Sequence, residues 1–253
     1  MRRVSEIPEE HRQRAIRKRL ANMQTTPLAA FPTGFARLDA ALGGGIPRGR
    51  IIELYGPASS GKTTLALQIL ATLQQTGLSA AWIDAEHTFD PAYAASLGVV
   101  IERLPVAQPD SAEQALEIAR RLAASGAVDL LAIDSAAALV PSLELATALG
   151  TSAPGLHGRV MASGLRSLAM TLARVSVSAL FLNHARGRME ASADEGETSA
   201  GGPALKLYAA VRIALRPAPR NRVNFRVLKN KASAAFGEGE FVWKSGVGFA
   251  ETP

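Results

Sequence analysis

Cysteine is absent from all 253 residues, which excludes disulfides, Cys-ligated zinc, iron–sulfur clusters and thiol catalysis. Long apolar runs are absent too. The longest stretch without a charge, Thr63 to Ile83, is broken by Gln68, Gln74, Gln75 and Gly77, so it is not a membrane span and no membrane partner is expected. The N-terminus lacks the apolar core of a signal peptide, and Glu6, Glu9 and Glu10 argue against a transit peptide, so the expected location is cytoplasmic. Aromatic residues make up only 5% of the chain. What is present is 47% hydrophobic and 20% charged residues, the balance of a globular protein able to bury a sizeable core.

The formal charge of +6 is unevenly placed. Residues 1–20 hold seven Arg/Lys against three Glu, residues 186–231 hold ten basic against four acidic side chains, and the remainder is acidic overall. Basic charge confined to two segments points to a phosphate-rich partner or to electrostatic contact with another subunit.

Residues 8–23 carry Ile16, Leu20 and Met23 at helical spacing among Arg and Lys, followed by Thr25, Thr26 and Pro27 as a stop. Residues 1–33 therefore read as a short basic helix with a linker, and 34–253 as the main domain. Strands at 51–56, 79–84, 128–134 and 178–184 alternate with helices from Lys62 to about Thr76 and within 110–125 and 158–176. That alternation predicts an α/β fold with a doubly wound, mainly parallel sheet. The stretch 187–202 has almost no large apolar residue and reads as a long loop, of the kind that usually carries function. Two β-rich stretches, 223–231 and 239–245, are expected to close the sheet as antiparallel edge strands.

Gly56-Pro57-Ala58-Ser59-Ser60-Gly61-Lys62-Thr63, with Thr64 beyond it, fits the phosphate-loop pattern G-x-x-x-x-G-K-[ST] between a strand and a helix. The glycines let backbone N–H groups curl round phosphates, Lys62 reaches the β and γ oxygens, and the Thr63 hydroxyl ligates Mg²⁺. ATP and Mg²⁺ are the implied cofactors. Asp134 ends the apolar strand 128–133, where a carboxylate can hold Mg²⁺ through water or cap the following turn. Asp84 and Glu86 close the neighbouring strand, and one of them could orient and deprotonate the attacking water; Glu86, projecting beyond the strand end, is favoured.

The segments GPASSGKTTLALQ, WIDAEHTFDPAYAASLGV, QPDSAEQALEIA, SGAVDLLAIDSAAALVP, SAGGPALKLYAAVR and VLKNKASAAF together resemble the ATPase core of the RecA family of bacterial recombinases, over about residues 34–245. The resemblance implies a RecA-like P-loop NTPase fold with Glu86 as catalytic glutamate and Asp134 as the Walker B aspartate. It places Asp90 and Tyr93 on adenine; without it, Asp90 before Pro91 reads only as a helix cap. Lys229 and Lys231 lie two apart on a strand and share a face. Taken alone they read as edge-strand gatekeepers. The resemblance makes them fingers that complete a neighbour's ATP site in trans, and makes the basic N-terminal helix a subunit contact. It also implies DNA contact through a first loop at about Leu145–Gly158, with Arg159 and Arg166 on the helix after it, and a second loop with Arg188, Thr198, Gly201 and Gly202. Neither loop contains Phe, Tyr or Trp, so binding would go through phosphates and backbone N–H groups.

Several residues depart from the family pattern. His184 stands where the family has a glutamine that senses the γ-phosphate; it can serve the same role, or cap a strand end. Glu190, Asp194, Glu195 and Glu197 make the second loop acidic, Ala193 replaces an aromatic, Pro154 replaces a methionine, and Leu207 replaces an interface phenylalanine. The small C-terminal domain usual in the family is not expected. The function implied is an ATP-dependent, single-stranded-DNA-binding recombinase and DNA-dependent ATPase. It would form helical homo-oligomeric filaments and pair them with duplex DNA in repair and the response to DNA damage. The alternatives are a non-recombining regulatory or accessory paralogue and a ring helicase motor.

Overall fold

The computed structural model describes residues 29–148, 154–186, 198–233 and 237–251, together with Gln13. The basic helix expected at 8–23 lies outside them. Among the described residues, ten strands form one sheet: β3 (Ile51–Gly56), β4 (Ala80–Asp84), β5 (Val106–Ala107), β6 (Leu130–Asp134), β7 (Ser178–Arg186), β8 (Thr198–Ser199), β9 (Val211–Ala218), β10 (Arg222–Asn230), β11 (Glu238–Lys244) and β12 (Gly248–Glu251). Their order is β12-β11-β10-β9-β3-β7-β6-β4-β5, with β8 paired to β7. Neighbours from β9 through β3, β7, β6 and β4 to β5 run parallel, and β9 to β12 are mutually antiparallel. A separate pair, β1 (Ala30–Phe31) and β2 (Ile46–Pro47), precedes the sheet.

The parallel strands are apolar on both faces, as a covered sheet requires. Ile52, Leu54, Trp82, Leu130, Leu180 and Leu182 face the layer built by the helix Lys62–Gln75. Ile51, Ile83, Leu131, Ile133 and Phe181 face the layer of helices Ala112–Ser125 and Leu156–Val175. The helix 112–125 starts at Ser111, whose Oγ accepts from Gln114 N, and stops at Gly126 in the left-handed region (φ +71°). Its partner 156–175 buries Met161, Leu165, Leu168 and Leu172, a stripe at helical spacing. Truncating Leu165 or Leu168 to Ala would cost about 2–5 kcal/mol. Gly164 is where the two helices touch, because a Cβ there would collide with the Leu116 side chain.

At the antiparallel end the expected strands are present, but neither β10 nor β11 is outermost; β12 is. Strand β10 is bonded to β11 over Arg222–Arg226 and to β9 as far as Asn230, so Lys229 lies beyond the stretch that β11 covers. Strand β9 is not legible in the sequence, because Arg212 interrupts its apolar run. Its guanidinium is buried there against Glu53 of β3, at 2.5 Å.

Candidate functional site

The C-terminal ends of β3, β4, β6 and β7 converge. Gly56 is the register partner of His184, and Asp84 that of Asp134. The loop 56–61 leaves β3 and enters the helix 62–75 through Ser59 (φ +58°) and Gly61 (φ +83°). A Cβ at Gly61 would strike the Phe249 ring, so only glycine fits that close approach. Lys62 Nζ donates to the Gly56 and Pro57 carbonyls at 3.2 and 2.8 Å. Burial depresses its pKa, against the opposing pull of Asp134 and Glu86.

Thr63 Oγ1 donates to Asp134 Oδ2 at 3.0 Å. Burial pushes the Asp134 carboxyl up to about 6; the Thr63 hydrogen bond and Lys62 pull it down, while Glu86 and Asp84 push it up. Asp84 is buried and already accepts from Thr88 N, Phe89 N and Gln108 Nε2, at 3.1, 3.0 and 2.9 Å. It holds the turn 84–89. Glu86 remains the reachable carboxylate of the two, with Oε1 contacted by His184 Nε2 at 3.4 Å and by the Ser135 hydroxyl. Ser135 was missed in the sequence, where the only signal was its place directly after the strand-ending Asp134.

Asp90 Oδ1 accepts from Ala92 N and Tyr93 N, the helix-cap geometry, and Tyr93 OH lies 2.7 Å from Thr64 Oγ1. Tyr93 thus reaches the start of the phosphate-loop helix, and Asp90 caps the helix that carries it. Beside that loop a cavity of about 520 Å³ is lined by Ser59, Gly61, Thr64, Arg220, Trp243 and Phe249.

The loop fits a phosphate chain by its shape and by an unmet need. Among the described residues Ser60 Oγ is buried with no hydrogen-bond partner, and Lys62 Nζ donates only to loop carbonyls. Among the described residues no group of three or more His, Asp or Glu could hold a metal alone. A Mg²⁺ at Thr63 and Asp134 would therefore be completed by phosphate oxygens and water.

The described flanks of the two loops expected to contact DNA meet on one side. Gly201 (φ +83°) sits against His157, at the start of the helix bearing Arg159 and Arg166. Thr198 of β8 pairs with Arg186 of β7, and Gly202 precedes the helix Pro203–Tyr208. Arg188, residues 149–153 and the four loop carboxylates lie outside the described residues. Arg159, Arg166, Lys206 and Lys229 line a cavity of about 820 Å³ with Leu207 and Tyr208. Arg166 Nε donates to Tyr208 OH at 3.0 Å. Lys229 Nζ donates to the Lys206 and Leu207 carbonyls at 2.8 and 3.1 Å, while Lys231 is exposed.

A buried polar chain connects the two regions. Asn183 Nδ2 donates to Glu53 Oε1 and to Ala200 O, both at 2.9 Å, and Ala200 N donates to His184 O at 2.8 Å. The phosphate-loop strand, the His184 strand and the flank of the second loop are thus one bonded unit.

A phosphate loop on a central parallel strand, with a carboxylate and a hydroxyl at a cation position and a reachable glutamate, defines a P-loop ATPase with the RecA-like sheet. The model of the RecA N-terminal domain matches residues 2–249. Protein RecA of Leifsonia xyli is 46% identical over 92% of this chain and 68% of its own length. That of Clavibacter michiganensis is 47% identical over 92% and 67%, and that of Acidothermus cellulolyticus 44% over 94% and 72%. The chain belongs to the RecA family and is an ATP-hydrolysing enzyme. It spans about two thirds of the length of these relatives. Membership implies use of ATP with Mg²⁺, DNA binding and self-association. Among the described residues no helix is long and apolar enough to cross a membrane.

Proposed function

We propose that the chain is an ATP-dependent recombinase that binds single-stranded DNA, assembles head to tail into a helical filament, and promotes pairing with duplex DNA in repair. The observation that carries this reading is the bonded unit of Glu53, Asn183, His184 and Ala200, which ties the phosphate-loop strand to the flank of the second loop. In this reading the backbone of 56–63 and Lys62 hold the phosphates, and Asp90 and Tyr93 hold the base. Thr63, and Asp134 through water, would hold Mg²⁺, which would supply charge neutralisation for the phosphates. Glu86 takes the proton from the attacking water, and ATP and water become ADP and phosphate. Lys229 and Lys231 add charge to a neighbour's site, a head-to-tail arrangement that does not close on itself. To act there, Lys229 must first leave the carbonyls of Lys206 and Leu207. DNA is held through phosphates by Arg159, Arg166 and Arg188 and by backbone around Thr198, Gly201 and Gly202.

The test is ATP turnover with and without single-stranded DNA at low salt. Stimulation that disappears as salt is raised is expected; its absence overturns the reading. Electron microscopy with a non-hydrolysable ATP analogue should show helical filaments, and closed hexamers would favour a ring motor instead. A regulatory, non-recombining role is favoured by one observation, the four carboxylates of residues 190–197. Strand exchange on homologous substrates eliminates it.

A further inference from the structure

We propose that Ser135 is a positioning residue for hydrolysis: its hydroxyl pins Oε1 of Glu86, so that Oε2 is the oxygen presented to the attacking water. The inference rests on Glu86 being the base, as in the function proposed above.

Ser135 is wholly buried, and its Oγ–H donates to Glu86 Oε1 in a short contact. His184 Nε2 reaches the same oxygen at 3.4 Å. Both side-chain contacts of the carboxylate therefore converge on Oε1. The backbone is strapped to the same place, because Ala85 N and Glu86 N both donate to the Asp134 carbonyl, at 2.7 and 3.2 Å. Residues 134 and 135 thus fix Glu86 at both ends of its side chain. The side chain between those ends is otherwise loosely held, with about 31% of it exposed. A glutamate has three rotatable bonds to order, so one strong anchor at the carboxylate decides which conformer is populated. When water attacks, its O–H bond breaks, the proton passes to Oε2 and the oxygen bonds to phosphorus as ADP leaves. Oε1 keeps the Ser135 hydrogen bond throughout, so the carboxylate need not turn.

Misplacing a catalytic group by about 1 Å can cost 10²-fold in rate. Ser135→Ala should lower kcat about 10–100-fold in the full chain, with the melting temperature and the Kd for a non-hydrolysable ATP analogue unchanged. A cycle with Glu86→Gln gives the deciding measurement. If Ser135 acts through Glu86, adding Ser135→Ala to Glu86→Gln changes the residual turnover no further. An additive effect, or a loss of nucleotide affinity or melting temperature that accounts for the lower rate, marks a merely structural serine and overturns the proposal. Normal turnover in Ser135→Ala alongside a dead Glu86→Gln overturns it too, and leaves the function proposed above standing. Normal turnover in Glu86→Gln instead removes the base assignment on which both rest.

Discussion

Thr63 and Asp134 meet across 71 residues of sequence, hydroxyl to carboxylate, at 3.0 Å. Before any cation arrives, the threonine already occupies the aspartate oxygen and partly offsets the cost of its burial.

That cost has a pH signature. The Asp134 carboxyl titrates at about 6 in the folded protein against 3.8 ordinarily, so between those values the folded state binds more protons than the unfolded one. Its contribution to stability is therefore present at low pH and lost as pH rises through about 4 to 6. Asp134→Asn should remove this slope and raise the nucleotide-free protein's stability at pH 7 by at most about 3 kcal/mol. Denaturant unfolding across that pH range is the measurement. The same variant should lose Mg²⁺-dependent nucleotide affinity, as should the unaltered protein below pH 6.

Lys62→Ala and Glu86→Gln should separate binding from chemistry. The first should abolish ATP binding in equilibrium titration, because it removes the ammonium that spans the Gly56 and Pro57 carbonyls of the loop. The second should bind ATP normally yet turn over about 10²–10⁴-fold more slowly, the usual scale for removing a general base.

Glu53 and Arg212 form a buried ion pair beneath the phosphate loop. Removing one partner leaves the other charged and enclosed, so Glu53→Gln should cost about 3–5 kcal/mol in denaturant unfolding. Replacing both by apolar residues, Glu53→Leu with Arg212→Met, should cost less than either single change. A double variant less stable than both would show that the charges do more than compensate each other.

Lys229 and Lys231 should not behave alike. Lys229→Ala removes the donor at the end of helix 203–208 and should raise hydrogen exchange at Leu207 to Ala209 in the isolated subunit. Lys231→Ala should leave that exchange untouched and lower turnover only under conditions that assemble the protein.

The sheet and the phosphate loop were readable in the sequence because both are local: apolar runs of four to six residues, and eight consecutive residues with fixed chemistry. Asp134 was readable as the end of such a run. What was hidden depends on partners far apart in the chain. Arg212 looks like a break in a strand until Glu53, 159 residues away, is placed beside it. Ser135 looks like a turn residue until Glu86 is brought to its hydroxyl. Asp84 and Glu86 are separable only once the hydrogen bonds from Thr88, Phe89 and Gln108 are seen to use up the first.

The contact between Gly61 and the Phe249 ring ties the phosphate loop to the far end of the described chain. Gln68 in the phosphate-loop helix bonds Phe249 through its backbone N–H and C=O, and Phe249 stacks on Phe241 at 5.3 Å. Strand β12 is thus a wall of a loop encoded nearly 190 residues earlier. Domains fold as units while the ribosome is still adding residues. A nascent chain that has emerged only as far as Lys231 carries every residue of the phosphate loop without this wall. The loop is therefore walled only once Phe249 has been added to the chain.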